Sequence, residues 1–483
     1  MTSRSLRALL LLLAAAAPAA AQEAVVSTRQ DTKDLSLTVY NQGFAVVRER
    51  RDLGLHAGLN RVRYEDVAQL IDAPTVSLRS MTAPGSLAVA EQNYQYDLVS
   101  PAAILDKSVG RTVRIRRRVP NGNVEVLEGT LISSSSSGGI VVRTADGRLI
   151  LSPEGEVEVQ ALPEGLISRP SLLWLLNAGR AGVQTAEVSY MTDGVDWSAD
   201  YVVVVDSAER KVDLTGWVTL VNRSGTTYPQ AQLQLIAGDV RRVTARRSLE
   251  DRRGQLSLEG VVSTAARTRQ FGEEAFFEYH LYTLDTRTTI AQNETKQMTL
   301  LTAPDAGVTR RLVFDSRRAW NWDWQPGQAS STEPVKAAIV LELENSRANG
   351  MGMPLPAGVV RLYKADSRGN MQFLGEDRVD HTPRDEKVRL WIGDAFDVVA
   401  TRRVVEDRAI DAHTREVTVE TTLRNHKAVP TDVSIVEHFA SEWRILQASH
   451  PHEREDASTG VWRLRVPADT EVKVTYTARV WWR

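Results

Sequence analysis

The chain reads as mainly β: tandem antiparallel β-sandwich modules of immunoglobulin-like type, with a small inserted β-barrel-like region. Three observations predict this. Apolar and polar residues alternate with period two over many short runs. Turn dipeptides such as Asn121-Gly122, Asp146-Gly147 and Ser224-Gly225 separate those runs. Stretches with a helical period are scarce, which argues against a parallel α/β fold.

Residues 1–21 read as a secretory signal peptide. Arg4 and Arg7 precede the apolar stretch Leu9 to Ala17, Pro18 breaks it, and Ala19-Ala20-Ala21 offers a small-residue cleavage site. The apolar run is shorter than the roughly 20 residues of a spanning helix, and no later stretch is long and apolar enough to span. The expected location is therefore periplasmic or secreted, without a transmembrane segment in the mature chain.

Residues 22–98 form an N-terminal β domain. Residues 99–164 open with a short helix, for which Ser100 suits the N-cap and Pro101 the first turn. Tight strands follow at Thr112–Val119, Val124–Ile132, Ile140–Arg143 and Leu149–Leu151, with the cadence of a small barrel. Residues 165–310 form a central β-sandwich. In it, Ser171 to Leu176 reads as a strand, Lys211 to Val221 alternates, and Tyr201 to Val205 is a continuous apolar run suited to burial on both faces. Residues 244–272 within it are polar, Arg-rich and non-periodic, and are expected to be mobile. Residues 311–483 form the C-terminal immunoglobulin-like sandwich, with a loop at 325–334. Here Val417, Val419 and Leu423 share one strand face. Val472, Val474, Tyr476, Ala478, Val480 and Trp482 share another.

Composition excludes several functions. The 483 residues carry 59 Lys+Arg, 50 of them arginine, against 61 Asp+Glu, for a formal net charge of −2. Such balance gives no global electrostatic reason to bind nucleic acid or an anionic membrane. Cysteine is absent, which removes disulfides, thiolate nucleophiles and Cys-ligated zinc. An exported chain without disulfides must rest on large buried cores, and this length can supply them.

Several phrases carry a family resemblance: Val39-Tyr40-Asn41-Gln42-Gly43, the run Tyr190 to Tyr201, Ala237-Gly238-Asp239-Val240, Tyr279 to Leu284, Pro354 to Gly358, and Ser449-His450-Pro451-His452-Glu453. Together they resemble a bacterial family of exported proteins classed as a domain of unknown function. That domain also forms the C-terminal part of proteins similar to mucoidy inhibitor A. The family has no assigned catalytic residues to carry over. The sustained heptads of the mucoidy-inhibitor-like members are missing here.

The search for chemistry yields two candidates. His450, His452 and Glu453, with Glu455 and Asp456 close behind, gather zinc-ligand types in seven residues, and His438 or His381 could supply a third imidazole. The alternative is a solvated turn shaped by Pro451. Trp320, Trp322 and Trp324 alternate with Asn321 and Asp323, so on a strand the three indoles share one face and could bind a ligand. The alternative is a strand whose Trp face covers a core edge. A nucleophile elbow and a phosphate-binding loop are both missing. Ser133 to Ser137 reads as a polar hairpin turn, and the acidic stretch around His381 as salt-bridged loop carboxylates. The expectation is a non-enzymatic, cofactor-free cell-envelope protein that recognises an envelope protein or glycan. The alternative is a metal-assisted hydrolase using His450 and His452.

Overall fold

The computed structural model describes residues 24–118, 124–134, 139–163, 165–242, 270–322 and 333–481. The signal-like segment 1–21, residues 244–269 of the segment 244–272, the loop residues 325–332, the turn at Asn121-Gly122, most of the serine run, Trp324 and Trp482 lie outside these; the end of that segment, expected to be mobile, instead opens a strand at Phe271, whose ring is buried. The described chain is built of strands in two compact units. No helix among the described residues is long and apolar enough to cross a membrane.

The first unit comprises Met1–Ser36, Val46–Asp193 and Ser224–Thr226. One of its sheets has four strands: β1 (Val25–Ser27), β4 (Gly58–Glu65), β12 (Ser171–Ala178) and β6 (Leu87–Gln95), in that order. The strand expected at Ser171 is thus present. β2 (Thr32–Tyr40) and β3 (Phe44–Leu55) form a hairpin, and β13 (Gly182–Asp193) lies between β3 and β5 (Ile71–Ser80). Tyr64 packs on Trp174 with ring centroids 5.2 Å apart. Buried beside them, Arg51 is paired to Glu49 at 2.8 Å.

Helix α1 (Pro101–Lys107) starts as its sequence dictates, with Ser100 Oγ accepting from the Ala103 N–H. The small sheet that follows contains β7 (Thr112–Arg118), β8 (Val124–Ser133), β9 (Val141–Thr144), β10 (Leu149–Leu151) and β11 (Glu156–Val159). Its order is β10-β9-β8-β7-β11, so the last strand returns to the first. No pairing closes β10 onto β11 among the described residues. Val113, Ile115, Leu131 and Val142 form its core, with Leu105 of α1 packed on them.

The second unit comprises Leu37–Ala45, Gly194–Arg223 and Thr227–Arg483. Its first strands are β14 (Val195–Val205), β15 (Lys211–Asn222), β16 (Tyr228–Ala237), β17 (Phe271–Phe276), β18 (Tyr279–Leu284) and β19 (Thr288–Ile290). In β14 the run Tyr201 to Val205 alternates: Tyr201, Val203 and Val205 are buried, while Val202 and Val204 are only half-buried. One face is therefore sealed, not both. The strand's two edges are satisfied by β15 and β22 (Gly358–Ala365).

Two long strands build the sandwich. β20 (Glu294–Asp315) pairs with β15 through its first part. Its last part pairs with β21 (Val335–Glu344) on one side and β26 (Thr431–His438) on the other. β24 (Lys387–Ala409) likewise pairs first with β21 and then with β25 (Thr414–Asn425). Beyond β25 lie β30 (Thr470–Trp481) and β27 (Glu442–Ala448), while β29 (Thr459–Val466) joins β26 and β28 (Glu453–Arg454) joins β29. β23 (Met371–Val379) flanks β22. Ladders are mostly antiparallel, but β1–β4, β14–β22 and β20–β26 are parallel.

The alternation in β25 and β30 is met. Val417, Val419, Leu423, Val474, Tyr476, Ala478 and Val480 are buried in one core with Leu312, Phe314, Val433, Ile435 and Trp462. At its centre the Arg402 guanidinium meets Glu437 in two bonds of 3.2 and 3.3 Å, and both side chains are inaccessible to solvent.

Candidate functional site

The alternate residues of the C-terminal sheet that do not enter this core form a groove. Period-two geometry sends Leu312 and Phe314 of β20 inward, and Arg311, Val313 and Asp315 to the opposite face. The same parity puts Ala338, Val340 and Glu342 of β21 on that face, with Arg389 and Trp391 of β24, Ser434, Val436 and His438 of β26, and Arg463 of β29. Register places them in rows. Ser434, Val313 and Ala338 lie opposite one another across three strands, as do Arg311, Val340 and Trp391. The groove encloses about 540 Å³, within the range of ligand-binding clefts. Its floor is aliphatic and its walls are charged.

The walls are tied together. Glu342 accepts from Arg311 Nε at 2.6 Å and from Arg389 Nε at 2.9 Å, and Arg389 reaches on to Glu455 at 3.4 Å. Burial acts to raise the Glu342 pKa. The hydrogen bond and charge of Arg311, followed by those of Arg389, outweigh burial and hold it below the ordinary 4.5. Asp315 caps helix α2 (Ser316–Trp320), its Oδ1 accepting from the Arg317 and Arg318 N–H groups. Its Oδ2 lies 2.7 Å from His438 Nε2, and Thr459 Oγ1 lies 3.3 Å from His438 Nδ1. Trp391, 38% exposed, ends the groove. The Arg318 guanidinium sits 3.2 Å from its ring centroid, and Asp377 Oδ2 accepts from its backbone N–H at 2.7 Å.

Acid should loosen these walls. The Asp456 carboxyl is held below its usual 3.8, chiefly by the Ser458 N–H and then by the Thr459 hydroxyl. Outside the groove, Glu416 is likewise held below 4.5 by its hydrogen bonds from Arg408 and then Arg479. A carboxylate whose folded pKa is depressed contributes stability above its unfolded pKa, and that contribution is lost as pH falls through the folded value. These carboxylates should make the urea midpoint fall as pH drops below about 4.5. A midpoint that rose on acidification would contradict this network.

The sequence-predicted ligand row is not a strand face. Ser316 to Trp320 is a helical turn that Asn321 closes at φ 50°, in the left-handed region. Trp320 and Trp322 are 8% and 5% exposed and belong to the core, where Trp322 lies 4.4 Å from the Arg402 guanidinium. The Asp315 cap starts a helix where alternation suggested a strand, and the indoles turn inward as a result. Trp324 lies outside the described residues.

The sequence-predicted metal ligands are placed but not gathered. His450 Nδ1 lies 2.9 Å from Ser449 Oγ, His452 stacks on Trp462 with centroids 5.6 Å apart, and Glu453 pairs with Arg463. Among the described residues no three His, Asp or Glu side chains are grouped to hold a metal. The acidic stretch is also dispersed: Asp377 serves the Trp391 backbone, Asp394 faces Arg318, and His381 Nδ1 accepts from the Ala357 N–H.

Five of the six phrases that carry the resemblance converge in the second unit, and they build packing. Gly43 N–H donates to Asp196 Oδ1 at 3.2 Å. Trp197 Nε1 donates to the Ile236 carbonyl, and the indole meets Tyr282 edge-on at 6.4 Å. The Tyr201 and Tyr282 hydroxyls donate to the carbonyls of Pro356 and Pro354 at 2.8 and 3.0 Å. A Cβ on Gly238 would lie 2.4 Å from the Tyr279 ring, and one on Gly358 would lie 2.2 Å from the Ala199 carbonyl oxygen. Buried aromatics anchored to backbone carbonyls explain why these phrases mark a family without marking a reaction.

His438, Glu455 and Asp456 were singled out in sequence for a metal, but the groove they line went unread, because its strands are distant in the chain. Residues 312–315 pair in parallel with 433–436. Only the alternation within each strand carried a signal. No curated protein matches the chain. The family described as Domain of unknown function (DUF4139) matches residues 186–482, a span that holds every groove residue. The chain belongs to this family.

Proposed function

We propose that this DUF4139 chain is an exported envelope protein that acts by recognition, with the groove of the second unit as its contact surface. The observation that carries the reading is the groove's construction. Neighbouring strands present an aliphatic floor, and the walls are fixed by shared ion pairs before any ligand arrives. Preorganised polar groups around an apolar floor suit binding, because little is lost in ordering them. The signal-like segment at residues 1–21 supports export. A hydrolase centred on His450 and His452 gains no comparable support, since their rings engage different partners.

The reading is tested with isolated cell envelopes. The purified chain should co-sediment with them, and Arg389→Glu should abolish most of that binding. Arg389 is largely exposed but its partner Glu342 is mostly buried, so the urea midpoint of the variant is measured alongside. Undiminished co-sedimentation of a folded Arg389→Glu chain would overturn the assignment of the groove.

A further inference from the structure

We infer that the groove takes a neutral saccharide, held by its oxygen acceptors; this rests on the groove being the recognition surface. Its donors and acceptors are unevenly spent. Every lining carboxylate already accepts from a protein donor. Glu342 gives one oxygen to each of two arginines, and Asp315 serves α2 and His438. Asp377 accepts from the Arg378 and Trp391 N–H groups. The cations are not consumed. Arg311 spends only Nε, Arg463 only one Nη, and the Lys387 ammonium has no hydrogen bond or ion pair among the described residues. A guanidinium has five N–H donors and an ammonium three. The groove therefore offers unspent donors and asks for a ligand rich in acceptors.

Charge points the same way. The lining holds five Lys or Arg and five Asp or Glu side chains, so it has no excess positive charge with which to hold a polyanion. An acceptor-rich ligand without net charge fits this lining. Each sugar hydroxyl offers two lone pairs for one donor. The aliphatic floor of Val313, Val340 and Val436 suits the C–H face of a pyranose ring, and the half-exposed Trp391 suits its edge.

The rival occupant is an extended peptide. Peptides commonly bind sheets by adding a strand to an edge. The floor strands β20, β21 and β26 are each paired on both sides. Their backbone groups are spent, so the floor meets a ligand through side chains.

Isothermal titration of the purified chain tests the inference with four probes: chitohexaose, maltohexaose, hexagalacturonate and a random decapeptide pool. At least one neutral hexasaccharide should bind, with affinity nearly independent of salt. Arg311→Met combined with Lys387→Met should weaken it about tenfold or more while leaving the melting temperature within a few degrees. Absence of binding by both neutral sugars overturns the inference. So does tight, steeply salt-dependent binding of hexagalacturonate, or full affinity in the double variant. The envelope assay separates the two levels. If sugars fail but Arg389→Glu still releases the chain from envelopes, the ligand class is wrong and the recognition surface stands. If neither responds, both fall.

Discussion

Arg402→Ala is expected to destabilise the second unit by about 3–5 kcal/mol, because it strands a buried carboxylate. Arg402 and Glu437 are both inaccessible to solvent and share two hydrogen bonds. Tyr476 shares this core, and burial pushes its phenol well above its ordinary pKa. Removing the guanidinium leaves Glu437 charged in a low-dielectric core, or forces it to take up a proton. The penalty is that of the survivor, not the worth of the pair. Arg402→Met with Glu437→Leu should therefore recover most of the loss, since both charges leave together. Urea unfolding of the single and double variants checks this. A single variant that unfolds within about 1 kcal/mol of the parent would show that the pair is not desolvated.

Trp322→Ala is the second large effect, again about 3–5 kcal/mol. The indole is almost wholly buried and covers the Arg402 guanidinium at 4.4 Å. Truncation opens a cavity and also admits water to the ion pair. Trp322→Ala and Arg402→Ala touch the same cluster, so their costs should not add. The row of tryptophans read as a surface makes the opposite prediction, namely unchanged stability with lost binding. A Trp322→Ala chain of parental stability would restore that reading and contradict the packing described above.

The contrast between Trp322 and Trp391 shows what the sequence could carry. Alternation identified β15, β25 and β30, because burial on one face leaves a two-residue period in the chain itself. It misread Trp320 and Trp322, where one local rule competes with another. Asp315 followed by Ser316-Arg317-Arg318-Ala319 is an N-cap and a short helical turn, and it overrides the alternation at Trp320. That cap was available as a signal. The groove was not. Arg311, Glu342, Arg389 and Arg463 become neighbours only through pairings between β20, β21, β24, β26 and β29, and no residue spacing encodes those. The reverse error occurs at His450 and His452. They are dense in sequence, yet one ring bonds Ser449 and the other stacks on Trp462. Proximity along a turn did not become convergence in space.

The most direct measurement places a photo-crosslinking amino acid at position 391, at the end of the groove, and in a parallel chain at position 277, an exposed hairpin tip away from the groove residues. Both chains are irradiated in intact cells. The account predicts a discrete adduct from position 391 that disappears when Arg389→Glu is added, and none that depends on Arg389 from position 277. Equal labelling at both positions, or a position-391 adduct indifferent to Arg389→Glu, would contradict it.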